Sequence, residues 1–142
     1  MLQSQRTKVT QLIATVLKTD GSTTTASHDV SGCRSCEVIV NISTEETTDA
    51  TTMTIALQEG DTTDASNLST VFANQTVANE TARNVVYRFQ PRKKLIKLSV
   101  TCGTGTGSDT KFGALVREER MVQEPENTSE QVGSTHDYCL VR

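Results

Sequence analysis

Short runs in which apolar and polar residues alternate recur along this chain, with turn-forming residues between them. Residues 54–71 show the arrangement clearly, because Ile55 and Leu57 alternate with polar or small neighbours before Gly60 and Asp61 interrupt the run. A two-residue period is typical of a strand that buries one face. The stretch therefore predicts a strand that enters an acidic, turn-rich loop and then resumes.

The same alternation predicts a strand at residues 36–42. In this strand Val38, Val40 and Ile42 would point to one side of a sheet and their neighbours to the other. The next apolar run along the chain, residues 53–58, predicts a second strand. We expect the two strands to pair antiparallel, as consecutive strands commonly do.

A further pair of strands is predicted at residues 84–90 and 95–102. Pro91 and the basic residues after it would form the tip of a hairpin between them. Residues 22–31 are polar and predict a turn region. The spacing of apolar residues at 9–17 fits a short helix as well as a strand, and the flanking threonines and the stop at Asp20-Gly21 favour a strand. Two more short strands are predicted at residues 69–72 and 111–117.

Several short strands without a long helix predict an all-β fold, either a single β-sandwich or a jelly-roll-like domain with extended N- and C-terminal arms. Threonine supports this class: about one residue in six is Thr, whose branched side chain suits strands. The predicted division is an N-terminal arm at residues 1–7, a β-sandwich body at residues 8–124 and a C-terminal tail at residues 125–142. The tail is assigned on its polar composition.

Composition limits the kinds of partner. The net charge is −3 and the pI is near 5.4, which argues against a protein that coats nucleic acid. No apolar run approaches the roughly 20 residues of a membrane span, so no membrane partner is predicted. The first eight residues lack the apolar segment of a secretory signal, and we expect synthesis in the cytoplasm. Only 4% of residues are aromatic, and so small a core often relies on oligomerisation.

Four cysteines occur, two of them in the motif Cys33-Arg34-Ser35-Cys36. Such a motif can bind metal or undergo redox chemistry, but a zinc site needs a second close pair, and Cys102 and Cys139 stand far apart. A thioredoxin-like motif opens a helix, whereas this one precedes a predicted strand. Free or partly buried thiols are favoured, with a disulfide and a metal site left as alternatives.

No group of residues predicts catalysis, a cofactor or a metal. His28 and His136 lie in polar segments where a surface position is favoured. His136 and Cys139 could form a base and a nucleophile, but a polar tail would not hold them in register. The acidic loops at residues 45–49 and 59–64 lack calcium-binding spacing, which favours solvated charge.

Two groups are candidates for binding a partner. The first is the basic group of Arg88, Arg92, Lys93 and Lys94, which could be a solvated turn or a contact for an acidic protein surface. A nucleic-acid contact is less favoured, because the group lacks interleaved aromatic residues. The apolar end of the tail could dock on a surface or be a frayed terminus. The candidate residues are Arg88, Arg92, Lys93, Lys94, Tyr138, Leu140 and Val141.

Two stretches resemble the capsid decoration (cement) proteins of tailed bacteriophages. The sequence LQEGD at residues 57–61, with its Asp/Ser loop, is similar to a strand, acidic loop, strand pattern of tailed-phage virion proteins. The sequence YRFQPRKKLIKLSV at residues 87–100 looks like their arginine-and-aromatic strand pair. The resemblance covers about residues 8–125; the four cysteines and the long tail depart from it.

The resemblance implies a virion structural protein that binds the outside of the assembled phage head and stabilises contacts between major capsid proteins. It implies self-association, which we expect to give a dimer or trimer, and a location on the capsid surface after synthesis in the host cytoplasm. The alternatives are a head-tail joining or tail structural protein, and a carbohydrate- or receptor-binding β-sandwich module. An enzyme is not predicted.

Overall fold

The computed structural model describes residues 5–18, 21–43, 52–62, 67–78, 82–103, 110–121 and 138–141. In these ranges the regular structure is ten β-strands. The strands are β1 (Gln5–Lys18), β2 (Thr23–Asp29), β3 (Ser35–Ser43), β4 (Thr52–Gly60), β5 (Ser69–Thr70), β6 (Gln75–Ala78), β7 (Arg83–Phe89), β8 (Leu95–Cys102), β9 (Thr110–Met121) and β10 (Tyr138–Val141).

The strands form two sheets. The first sheet has the order β1-β9-β3-β7-β10, and the second has the order β2-β8-β4-β5, with β6 also paired to β4. Pairing is antiparallel throughout these described strands, except that β10 runs parallel to β7. β1 and β2 form one edge of each sheet, and successive strands repeatedly change sheet.

The core lies between the two sheets and is built from the apolar positions of both inner faces. Val38 and Tyr87 contribute from the first sheet and Leu57 and Leu98 from the second, and each is at most 1% exposed. Burying one such aliphatic side chain stabilises the fold by about 1.5–3 kcal/mol. Because both inner faces are apolar, the sheets must face each other.

The predicted all-β sandwich is confirmed, and so are the main strands. Val38, Val40 and Ile42 are fully buried, while Ile39 and Asn41 face outward, as the two-residue period predicts. The stretch at residues 54–71 also behaves as predicted, because β4 ends at its glycine and β5 returns to pair with it. The division into arm, body and tail stays a prediction.

The two predicted strand pairs are wrong. β3 and β4 lie in different sheets, and so do β7 and β8, so residues 84–102 form no hairpin. Alternation reveals which side of a strand is buried, but the inner faces of both sheets bury the same alternating pattern. The chain crosses from one sheet to the other at residues 90–94 instead of turning back within one sheet.

The predicted turn at residues 22–31 is also wrong, since Thr23–Asp29 is strand β2. This strand is an edge strand with alternating exposure and almost no apolar residue, so the hydrophobic pattern gave no signal. Its threonines supply the β propensity instead. β6 was likewise not predicted, and β10 falls within the segment assigned to the tail.

Candidate functional site

The predicted basic group lies on the crossing between the sheets. Arg92, Lys93 and Lys94 connect β7 to β8 and stand beside the end of β4. The Nζ atom of Lys93 lies 2.9 Å from Oδ2 of Asp61, and the backbone N–H of Arg92 donates to Oε2 of Glu59 at 3.1 Å. The basic crossing is thus held against the acidic end of β4 within the same molecule.

The two acidic residues at this crossing have different environments. Asp61 and Lys93 are both largely exposed, and their hydrogen bond lowers the pKa of the carboxyl and raises that of the amine. Such exposed pairs contribute little to stability. Glu59 is only 3% exposed, so the predicted solvated charge is wrong for this residue. Its carboxylate accepts the hydrogen bond from Arg92 and so holds residues 92–94 against the second sheet.

Arg88 lies apart from the other basic residues, on the outer face of the first sheet. Its Nε donates to Oε2 of Glu37 at 2.6 Å, across the antiparallel pair of β3 and β7. Glu37 is 8% exposed although it faces outward. Arg88 therefore carries an ion pair within the sheet, and the structure does not bring it together with residues 92–94.

The apolar end of the chain forms β10. Tyr138 pairs in register with Val85 of β7, and Val141 pairs with Arg88. The backbone of this segment, which includes Leu140, therefore adds a strand to the first sheet of its own chain. Whether Tyr138, Leu140 and Val141 also bind a partner stays a prediction.

A buried ionic network joins the sheets at the same end as the basic crossing. Glu118 of β9 is fully buried; its Oε1 lies 3.1 Å from Nε2 of His28 and 2.9 Å from Nη2 of Arg120. Nε of Arg120 adds a contact of 3.3 Å to Oε2, and Nη1 donates to the carbonyl of Ser31 at 3.0 Å. Because an ionised carboxylate only accepts, His28 donates to it.

Sequence reasoning missed this network because its members lie far apart in the chain. His28 was predicted at a polar surface, but β2 holds it half-buried against the first sheet. The one available signal was Glu118 itself, which occupies an inward position in the alternation of β9 with Val116. An acid at a core position needs a buried partner.

The Cys33–Cys36 motif sits beside this network, where the chain enters β3. Gly32, with φ of 76°, allows the preceding turn, which the Cys33 N–H closes on the carbonyl of Val30 at 3.0 Å. Cys33 is half-buried and Cys36 is buried, and neither these two nor Cys102 forms a disulfide. The motif leads into a strand, as predicted, but Ser35 and Cys36 already belong to β3.

The outer face of the first sheet carries a groove of about 310 Å³ across β1, β9 and β3. Val9, Ile39 and Leu115 give it an apolar floor, and Gln11 and Asn41 add polar groups. Val9 is 60% exposed, which is unusual for a large apolar side chain in the described part of the chain. An exposed apolar side chain in a groove with polar margins is typical of a contact surface.

Among the described residues, no three His, Cys, Asp or Glu side chains are placed to hold a metal ion. The same residues contain no helix that is long and apolar enough to cross a membrane. The arrangements that stand out are therefore contact surfaces and internal ionic and thiol clusters.

Comparison with known proteins gives similarity at the level of fold. No protein-family profile matches the chain, and no curated protein matches it in sequence. A crystal structure of tripeptidyl peptidase 2 (TPP II) aligns with 82% of this chain at a TM-score of 0.56 and 10% identity. A structure of the Gx strain of infectious bursal disease virus aligns with 85% at a TM-score of 0.44 and 12% identity. This chain spans 10% of the first structure's chain and 33% of the second's, and the first alignment shows a similar fold alone.

Proposed function

We propose that this protein is a virion structural protein, and specifically a decoration protein that binds the outside of an assembled phage head. In this role it stabilises contacts between major capsid proteins. It works through shape and surface contacts and carries out no catalytic step. The resemblance of residues 8–125 to phage decoration proteins supports a role in the virion.

The observation that carries the proposal is the groove on the outer face of the first sheet. Leu115 pairs in register with Gln11 on one side and Ile39 on the other, so these side chains form a row across three strands. Val9 stands next to this row and exposes 60% of its surface. A rigid sheet face with apolar groups in its centre can seat a protruding side chain of another protein.

Backbone pairing along the free edge of β1 is a less suitable mode of attachment. The register of β1 against β9 shifts between Gln11 and Ile13 and again between Ile13 and Val16. Such bulges twist an edge strand and discourage another strand from adding to it. Because the bulges of β1 discourage strand addition, we favour attachment through the side chains of the groove.

Repetition would supply the strength of attachment. Each groove is small, so one contact would be weak. A dimer or trimer on a symmetric head engages several equivalent sites together, and linked contacts raise the overall affinity without any new contact. The basic crossing at Arg92 and Lys94 is a second candidate contact, suited to an acidic patch of the capsid protein.

The test is binding to heads of the source phage that lack this protein. Heads are incubated with the wild-type chain, pelleted, and the bound protein is measured. Val9→Glu should weaken binding by at least about tenfold, since it places a charge in an apolar contact. Thr25→Glu is the matched control, because Thr25 is also an exposed, β-branched residue on an edge strand but belongs to the other sheet.

Both substitutions are at exposed positions and should change the free energy of unfolding by less than about 0.5 kcal/mol. If the wild-type chain does not bind the heads, the proposed function is wrong. If Val9→Glu and Thr25→Glu both bind as the wild type does, the groove is not the contact. Removal of residues 125–142 tests the tail separately, since unchanged occupancy would exclude it from attachment.

The other virion roles are separated by the mass of the isolated protein. A decoration protein should be a monomer, dimer or trimer, whereas a head-tail joining or tail protein should form a closed ring of fixed size. A carbohydrate-binding role would need exposed aromatic rings, and Tyr87 is fully buried. Binding to a glycan array by the isolated chain would favour that alternative.

A further inference from the structure

Two thiols lie together where the chain enters β3. The neutral Cys33 thiol donates to the carbonyl of Ser35, the residue before Cys36, at 2.9 Å, and its sulfur lies 3.8 Å from the carbonyl of Glu119. Cys36 pairs in register with Glu118, the residue before Glu119, and Cys33 packs against the core that contains Cys36. Cys33 is half-buried, so a small reagent can reach it from solvent. Cys36 is 1% exposed and packs in the core between the sheets. One thiol is accessible and the other is positioned behind it.

We propose that Cys33 and Cys36 form a reversible dithiol–disulfide pair, in which Cys33 reacts first with a small-molecule disulfide and Cys36 then closes the internal bond. The inference concerns a modification site and does not rest on the proposed function. It applies whether the chain attaches to a phage head or not.

Oxidised glutathione serves as the oxidant. The Cys33 thiolate attacks one sulfur of glutathione disulfide, and the other half leaves as a thiolate. Cys36 then loses its proton to the leaving thiolate or to water and attacks Sγ of Cys33, which expels the second glutathione. Two protein thiols are oxidised to one disulfide, and one glutathione disulfide is reduced to two glutathione molecules.

The surroundings of the two sulfurs favour this order. A hydrogen bond from Cys36 lowers the pKa of Cys33, with a smaller contribution from Arg120, although burial and the nearby Glu118 oppose the shift. The hydrogen bond with Cys33 and burial both raise the pKa of Cys36. The thiolate is the reactive form of cysteine, so the accessible residue is also the one better prepared to attack.

Cys102 provides an internal comparison. It is also outside any disulfide and is 1% exposed, like Cys36, but it lies on β8 in register with Met53. The second sheet therefore holds it away from the pair. Burial alone should protect Cys102, whereas Cys36 needs no access to solvent because it reacts with its neighbour.

The experiment equilibrates the reduced, full-length protein with mixtures of reduced and oxidised glutathione, followed by acid quenching, alkylation and mass spectrometry. Cys33 and Cys36 should lose their thiols together, and the peptide that holds both should lose the mass of two hydrogens. Cys102 should keep its thiol over the same period. Reduced glutathione in excess should restore both thiols. Circular dichroism recorded in parallel checks that the protein remains folded throughout.

Two variants separate the steps. Cys36→Ala should leave Cys33 with glutathione attached, since nothing displaces it, and Cys33→Ala should leave Cys36 unmodified. The proposal is overturned if wild-type Cys33 retains glutathione while Cys36 stays reduced. It is also overturned if Cys33 forms its disulfide with Cys102 or Cys139, or if both thiols of the pair stay reduced until the protein is unfolded.

Discussion

The buried carboxylate of Glu118 is the strongest test of how the two sheets are held together at one end. Glu118→Gln keeps the shape of the side chain but removes its charge and places an amide N–H₂ where an acceptor is needed. Glu118 receives contacts from Arg120 at 2.9 and 3.3 Å and from His28 at 3.1 Å. Each hydrogen bond to a charged group contributes about 1.5–3 kcal/mol, and an orphaned buried group adds to the loss.

The expected cost is about 2 kcal/mol rather than the full sum. The side chain of Arg120 is 33% exposed, so water can replace part of the contact that it loses. The cost therefore stays below the roughly 3–5 kcal/mol of a fully buried pair. For a domain of this size, a loss of about 2 kcal/mol lowers the Tm by roughly 6 °C. Urea unfolding followed by circular dichroism measures the free energy directly.

A double-mutant cycle with Arg120→Met isolates the contact. If the ionic network acts as described, the two substitutions together should cost about 1 kcal/mol less than the sum of the single effects. The reasoning is refuted if Glu118→Gln stays within about 0.5 kcal/mol of the wild type, or if the two effects simply add. The first result would mean that the network adds little stability, and the second that Glu118 and Arg120 act independently.

Three further results are expected. Asp61→Asn should flatten the fall in unfolding free energy below pH 3.8. The Lys93 hydrogen bond lowers the native pKa of Asp61, so the stability that this carboxylate contributes is present above pH 3.8 and is lost as the pH falls through the native pKa. Identical pH profiles of the variant and the wild type in urea unfolding would contradict this. Gly103→Ala should cost about 2 kcal/mol in the same assay, since a Cβ there collides with the carbonyl of Thr52, and an unchanged midpoint would exclude that collision. Removal of residues 138–141 should speed hydrogen exchange at β7 amides that face β10, and unaltered protection by mass spectrometry would argue against that pairing.

The alternating pattern was sufficient to predict the fold class, because each core strand buries one face. Val38, Val40 and Ile42 all lie where the period predicts, and β4 ends at the predicted Gly60. Local turn chemistry therefore determined much of the outline. The same reasoning did not predict edge strands with almost no apolar residue, such as β2, because the stability of such a strand comes from pairing with its neighbour.

The pairing of strands was not predictable from alternation. Two sheets that face each other bury the same pattern, so alternation alone does not show whether residues 87 and 98 lie in one sheet or, as the structure has them, in two. The contact of His28 with Glu118 was not predictable for the same reason, because the two residues are 90 positions apart and lie on strands of different sheets. Of the predicted contact residues, Arg92, Lys93 and Lys94 do lie together, because they are consecutive in sequence.

The position of β1 has a consequence for how the protein is made. Among the described strands, β1 pairs with β9 alone, and β9 begins at residue 110. At about 5–20 residues per second, synthesis of the intervening chain takes roughly 5–20 s. During that interval Gln5–Lys18 cannot form this pairing, so the first sheet cannot be completed before β9 has been made. Assembly of the first sheet should therefore be slow, as long-range strand pairing generally is.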